Sequence, residues 1–202
     1  MLNCYNTHKM IRIFQNPEQS AFLSRGNFVD TTLIDECIAY VIPLLEEKPE
    51  IVVFGKKCRQ NRNVGFFSDQ SIGYKYSNNL MKSKPLQEKL SLLLGIINNT
   101  LGTEFNGILV NEYKNGEDYI SAHSDDEAGL TDIGVVSISY GAERTFRIRD
   151  KKTKQIVHDE PTTQYSILQM GGNFQQLYTH EIPIQKKIKT SRVSFTFRKH
   201  NK

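Results

Sequence analysis

The spacing of apolar and polar positions changes part-way along the chain. From 31 to 48, TTLIDECIAYVIPLLEEK carries apolar residues at helical intervals, with Asp30 placed to cap the first turn. Pro43 should end or bend that helix, because it has no N–H and its ring crowds the preceding turn. A second helix is marked by Leu86, Leu90, Leu93, Leu94, Ile97 and Leu101, which share one face, with Pro85 at its start and Gly102 as terminator. Between the two, EIVVFGK (50–56) is a short β-prone run ending in Gly55, and GFFSD and IGYKYSN (65–78) read as strands and turns. After Phe105 the runs become short and β-prone: NGILVNEY, VVSISYG, TFRIRD, QIVHD, QYSILQM, QQLYTHEIP and RVSFTFRK. Such closely spaced runs indicate a sandwich or barrel. Helices first and strands afterwards make the fold class α+β: a jelly-roll (double-stranded β-helix) core over about 105–199, with N-terminal helices packed outside it.

At 202 residues the chain suits a single domain, 1–202, with a large enough interior for a sizeable core. No apolar run approaches the roughly 20 residues of a membrane span, so no membrane partner is expected. The start, MLNCYNTHKMIRIF, lacks the apolar segment and cleavage site of a secretory signal, so an intracellular protein, nuclear or cytoplasmic, is expected. Cys4, Cys37 and Cys58 are scattered and have no zinc spacing, which indicates free thiols. The net charge is only +4, but the cations cluster: KKCRQNR (56–62) holds four in seven residues, and KSK, RIRDKKTK and KKIK add more. Clusters of this kind suit a polyanionic partner, or are simply solvated loops. The chain is expected to act as a monomer.

One stretch concentrates chemistry. NEYKNGEDYISAHSDDE (111–127) places an imidazole and three carboxylates in five residues. A solvated acidic turn and a metal site are both compatible with it. On a strand, His123 and Asp125 would point to the same face. His180, in LYTHEIP, would add a second imidazole from another strand. Two histidines and one carboxylate that leave positions open form the facial triad of non-haem iron oxygenases. Farther on, RVSFTFRK puts Arg192, Ser194, Thr196 and Arg198 on one face and Val193, Phe195 and Phe197 on the other. Two arginines on a cavity wall call for an anion, and a dicarboxylate could meet them by bidentate pairing; two surface cations on an edge strand are the alternative.

Together these motifs resemble the AlkB family of Fe(II)/2-oxoglutarate-dependent nucleic-acid demethylases. NEYKNGEDYISAHSDDE, SISYGAERTFRIR, THEIP and RVSFTFRK carry the resemblance over roughly 105–199. VFGKKCRQNRNVGFFSD and YKYSN upstream are similar to that family's nucleotide-recognition lid, so 1–104 would supply helical support and lid to a single Fe(II)/2-oxoglutarate dioxygenase domain. The resemblance implies that His123, Asp125 and His180 bind iron. Arg192 and Tyr113 would hold the distal carboxylate of 2-oxoglutarate, and Arg198 and Asn111 the carboxylate beside the keto group. Thr196 lies on the same polar face. Ser194 departs from the pattern, since the family commonly has Asn there, which bears on cosubstrate affinity.

The implied reaction is oxidative demethylation of N-alkylated bases, of the 1-methyladenine and 3-methylcytosine type, in DNA. It consumes O2 and 2-oxoglutarate and releases formaldehyde, succinate and CO2. Tyr76 matches the base-stacking position, and Tyr74 beside it would reach phosphate or base. Asp126 and Glu127 would face a cationic lesion, if they are not a solvated turn. Val-Phe-Gly at 53–55 is similar to the finger of duplex-acting members, with Phe54 as wedge and Arg62 near the orphaned partner base. Other readings are an RNA N-methyl demethylase, a nucleic-acid binding module without catalysis, and a protein hydroxylase on the same fold, which the basic upstream segment disfavours.

Overall fold

The computed structural model describes residues 9–53, 55–76, 79–125 and 134–199. Fifteen strands and three helices occur in the order β1 (Ile11–Gln15), β2 (Ala21–Asn27), α1 (Thr31–Val41), β3 (Glu50–Val53), β4 (Lys56–Arg59), β5 (Asn63–Phe67), β6 (Gly73–Tyr76), β7 (Asn79–Lys82), α2 (Gln87–Leu101), β8 (Gly107–Tyr113), β9 (Ile120–His123), β10 (Val135–Gly141), β11 (Arg144–Asp150), β12 (Ile156–Thr162), β13 (Ser166–Gly172), α3 (Phe174–Leu177), β14 (Tyr178–Ile182) and β15 (Arg192–Arg198). A seven-stranded sheet runs β1-β2-β13-β10-β15-β8-β5, and a four-stranded sheet runs β12-β11-β14-β9. β3-β4 and β6-β7 are separate hairpins.

The two helices form as their sequences dictate. The Asp30 carboxylate accepts the Leu33 N–H at 3.1 Å and caps α1, which gives way at Pro43 to a 3-10 turn over Ile42–Leu44. α2 ends at Gly102, whose φ of +64° closes the last turn in the left-handed region. Leu90, Leu93 and Ile97 of α2 and Leu33, Ile34 and Val41 of α1 are buried against Ile108, Val110, Ile138, Val193, Phe195 and Phe197 of the large sheet. Each such side chain contributes roughly 1.5–3 kcal/mol relative to exposure. The helices therefore cover one face of the large sheet. Its other face meets the small sheet through Tyr113, Val135, Leu168, Met170, Phe146, Ile148 and Ile182. This is the expected jelly roll with outer helical support.

Several details differ from the sequence expectation. The large sheet is not confined to 105–199, because β1, β2 and β5 from the first 67 residues add three strands to it. QQLYTHEIP is not one extended run, since 174–177 form the short helix α3 before β14 begins. β9, which was not among the seven runs, is present as four residues paired to β14. The arginines of RIRDKKTK are not a loose basic cluster: Arg147 pairs with Asp159 at 2.7 Å and Arg149 with Glu181 at 2.8 Å. Lys56, Lys57 and Arg59 on β4 are exposed. Cys37 is buried, which pushes its thiol up to about 12, whereas Cys58 is exposed, and both are free. Among the described residues, no helix is long and apolar enough to cross a membrane.

Arg144, at the start of β11, is buried to 1% exposure. Its guanidinium donates to the carbonyls of Asn115, Asp118 and Pro183 and to Gln185 Oε1, at 2.8–3.1 Å. It thereby ties the segment between β8 and β9 to the segment that follows β14.

Candidate metal and anion centre

The site opens between the two sheets as a cleft that reaches solvent. Strand pairing aligns its walls. Arg192 lies opposite Tyr113, Ser194 opposite Asn111 and opposite Ser139, and His180 opposite His123. β8, β10 and β15 supply one wall, and β9, β11 and β14 the other. On β15 the alternation has the consequence read from the sequence: Arg192, Ser194, Thr196 and Arg198 line the cleft, while Val193, Phe195 and Phe197 enter the core beneath the helices.

His123, Asp125 and His180 converge, with one donor atom of each within 4.8 Å of the others. His180 Nε2 is 3.6 Å from Asp125 Oδ2, and His123 Nε2 is 3.9 Å from Oδ1. His123 Nδ1 is 2.9 Å from the Ser121 carbonyl, which assigns the ring proton to Nδ1 and leaves the Nε2 lone pair toward the carboxylate. Burial lowers the affinity of both imidazoles for protons; His180, which also faces His123, is pushed down to about 3. Burial alone would raise the Asp125 carboxyl, but Arg198, His180 and His123 outweigh it and hold the group well below the usual carboxylate range. Two neutral imidazoles and one carboxylate are the protonation states that a divalent ion requires. Phe146 stacks on His180 with centroids 5.1 Å apart and restrains its ring.

Strand alternation is not what brings Asp125 beside His123. β9 ends at His123, and Asp125 lies beyond it. Other contacts deliver its carboxylate to the same place: Arg198 Nη2 donates to Oδ1 at 3.0 Å, and the Asp125 N–H donates to Gln175 Oε1 at 2.9 Å.

The arginines differ in their surroundings. Arg192 is 3% exposed and donates from Nη2 to Ser139 Oγ at 3.0 Å. Its Nε and Nη1 are buried with no hydrogen-bond partner among the described residues. Burial lowers it to about 10, still cationic at neutral pH. A buried guanidinium with two such nitrogens in the wall of a cleft is suited to receive an anion. The Tyr113 ring centroid lies 5.4 Å from its Cζ. Arg198 is already engaged, by Asp125 and by the Tyr74 hydroxyl at 3.1 Å.

The sequence sets Arg62 in the basic run 56–62 and, by resemblance, near the orphaned partner base; it is 5% exposed and lines the cleft, with Nε donating to Asn111 Oδ1 at 2.7 Å. β5, on which the next residues lie, is the last strand of the large sheet and pairs with β8, and the side chain turns inward beside Asn111. Tyr74 is buried in the same cleft. Phe54, Asp126, Glu127 and the side chain of Tyr76 lie outside the described residues. Two contributors escaped the sequence reading. Arg144 could have been found, because in RTFRIR it is in phase with the inward-facing Phe146 and Ile148. Gln175 carries no comparable signal.

Comparison with known proteins agrees with this geometry. Residues 27–198 match the model of the 2OG-Fe(II) oxygenase superfamily. The DNA oxidative demethylase ALKBH2 of Homo sapiens is 31% identical over 157 residues, which take in 74% of this chain and 60% of that protein. The alpha-ketoglutarate-dependent dioxygenase alkB homolog 3 of Homo sapiens is 33% identical over 137 residues, 63% of this chain and 48% of that one. The chain thus spans less than two thirds of the length of these curated relatives. The solved structure of OsALKBH1 superimposes with a TM-score of 0.60, covering 94% of this chain and 100% of that one, at 14% identity, a likeness of fold. The chain belongs to the 2OG-Fe(II) oxygenase superfamily, in its AlkB-like family.

Proposed function

We propose that this protein removes N-methyl groups oxidatively from alkylated bases in DNA, of the 1-methyladenine and 3-methylcytosine type. The observation that carries the reading is the pairing, in one cleft, of a His-Asp-His set with a buried arginine whose N–H groups await an anion. Family membership implies Fe(II), 2-oxoglutarate and O2, and the residues fit: His123, Asp125 and His180 would hold the metal, and Arg192 a carboxylate of the cosubstrate. When bound, that set supplies the oxidation of the N-methyl carbon, with succinate and CO2 as co-products and formaldehyde released from the hydroxylated methyl group.

The chain's own residues do the positioning. Arg192 offers Nε and Nη1 to a carboxylate while Ser139 holds Nη2. Asn111, with Oδ1 occupied by Arg62, has its amide N–H2 left to meet the other end of the cosubstrate. Arg198 fixes the Asp125 carboxylate and turns the Tyr74 hydroxyl into the cleft, so its part is orientation of a ligand as well as charge. Thr196 and Ser194 complete the polar wall. The whole chain acts as one dioxygenase domain in this reading, with strands from both halves in its large sheet. The exposed Lys56, Lys57 and Arg59 of the β3–β4 hairpin would meet phosphates. In this reading the protein acts as a monomer in the nucleus or cytoplasm.

Arg192→Ala is expected to raise the 2-oxoglutarate concentration needed for half-maximal turnover by ten- to a hundredfold, the loss of a charge-assisted bidentate contact of roughly 1.5–3 kcal/mol. Titrating the cosubstrate checks this, and an unchanged requirement would remove Arg192 from the site.

The reading itself is tested by incubating the protein with Fe(II), 2-oxoglutarate and ascorbate on methylated single-stranded DNA, duplex DNA and RNA, followed by mass spectrometry. DNA should be demethylated faster than RNA; no turnover on any of the three overturns the reading, and faster RNA turnover moves it to an RNA demethylase. In the same assay Phe54→Ala should impair duplex repair far more than single-strand repair. Equal losses with a lowered melting temperature would mark Phe54 as a stabilising residue instead.

A further inference from the structure

We propose that Gln175 is a positioning residue for the metal ligand Asp125, so that one short segment, 175–180, sets two of the three ligands. The inference rests on the reading of His123, Asp125 and His180 as a metal site. Asp125 stands past the end of β9 and has no strand ladder to place it. Its N–H donates instead to Gln175 Oε1, across 50 residues of sequence, with both residues buried. The Gln175 carboxamide is held from its other side as well, Nε2 lying 3.4 Å from Met170 Sδ, and Lys151 Nζ donates to the Gln175 carbonyl at 2.6 Å. Ser124 Oγ donates to the Tyr178 carbonyl at 2.9 Å and adds a second tie between the two segments.

Gln175 lies in α3, which runs directly into β14, the strand that bears His180. The same few residues thus carry one ligand and hold the backbone of another. Arg198 orients the Asp125 carboxylate at its far end, so the ligand is fixed at both ends before a metal arrives. A ligand restrained in this way loses little freedom on coordination, and removing such supporting contacts typically weakens metal binding 10- to 100-fold. The acceptor must be uncharged or tolerate burial, and must reach across from the helix. Leu would fill the space but leave the Asp125 N–H buried without a partner.

The test measures Mn(II) binding to metal-free protein by electron paramagnetic resonance, without turnover, alongside a thermal melt. Gln175→Leu and Gln175→Asn, the second too short to reach, are expected to raise the Mn(II) dissociation constant about 10- to 100-fold. Gln175→Glu keeps the acceptor and should restore most of the affinity. Wild-type affinity in Gln175→Leu and Gln175→Asn overturns the proposal, as does a lowered melting temperature with unmoved affinity, the mark of a purely structural residue. If Gln175→Leu does not melt cooperatively, Gln175→Asn decides. A Gln175→Glu protein as weak as Gln175→Leu also overturns the acceptor role. His180→Ala is the control: if it binds Mn(II) as wild type does, the metal reading itself fails, and that result is distinct from failure of the Gln175 assignment.

Discussion

Alanine in place of His123, Asp125 or His180 is expected to bring demethylation down to background and to abolish the binding of about one Fe(II) or Mn(II) per chain. Each substitution leaves two protein ligands where the cleft offers three within 4.8 Å. The three variants should differ in stability. His123 is half-buried and its Nδ1 contact is to the nearby Ser121 carbonyl, so His123→Ala costs the fold little. Asp125 is a carboxylate partner of the buried Arg198 guanidinium, and breaking that buried pair costs about 3–5 kcal/mol. Asp125→Ala should therefore melt well below wild type, and Asp125→Asn, which keeps the shape and part of the hydrogen bonding, should melt closer to it while remaining inactive. Metal titration, turnover and melting on the same preparations check the set. Wild-type turnover in all three alanine variants would end the assignment.

Arg144→Ala is expected to destabilise the protein by about 3–5 kcal/mol, because four acceptors each lose an N–H donor in a place water reaches poorly. One guanidinium donates to the carbonyls of Asn115, Asp118 and Pro183; the Asn115 carbonyl also accepts the Asp118 N–H, and Gln185 Oε1 is shared between Arg144 Nε and the Thr145 N–H. Burial lowers the Arg144 basicity, yet the group keeps its charge and its fork geometry. Arg144→Lys retains the charge and loses the fork, so it should recover only a minor part of the loss. For a chain of this size the shift is on the order of 10 °C in melting temperature. Chemical denaturation of both variants against wild type tests the claim, and a change in the midpoint too small to resolve would mean that solvent replaces the guanidinium without penalty.

What the sequence could reveal depended on whether the controlling contact was local. β15 was legible in full, because alternation along a single strand decides which residues meet the cleft and which the core. Asp30 and Gly102 were legible because capping is decided within one turn. β1 and β2 were not: IRIFQ is largely exposed, and AFLSRGN breaks its alternation with Ser, Arg and Gly, so neither shows a clear period before its partner β13 is in place. The burial of Arg62 was hidden for a related reason. A basic residue next to KKCR reads as part of a surface cluster until β5 pairs with β8 and turns it toward Asn111. Asp125 reached the right place by a route that the sequence does not show, through Gln175 and Arg198.

The position of β9 has a consequence for the apo protein. Among the described residues this strand is the outer member of the four-stranded sheet, four residues long, and it pairs with β14 alone. β15, which carries Arg192, is buried throughout its length between β8 and β10. Opening free energies in a folded protein follow such differences, and a short edge strand detaches long before a central one. His123 is thus mounted on a segment that can peel away while the sandwich, Arg192 and His180 stay in place. In the absence of metal, amide hydrogens of β9 should exchange far ahead of those of β15, and an ion that bridges His123 to His180 would act as a clasp on an otherwise loose border of the sheet.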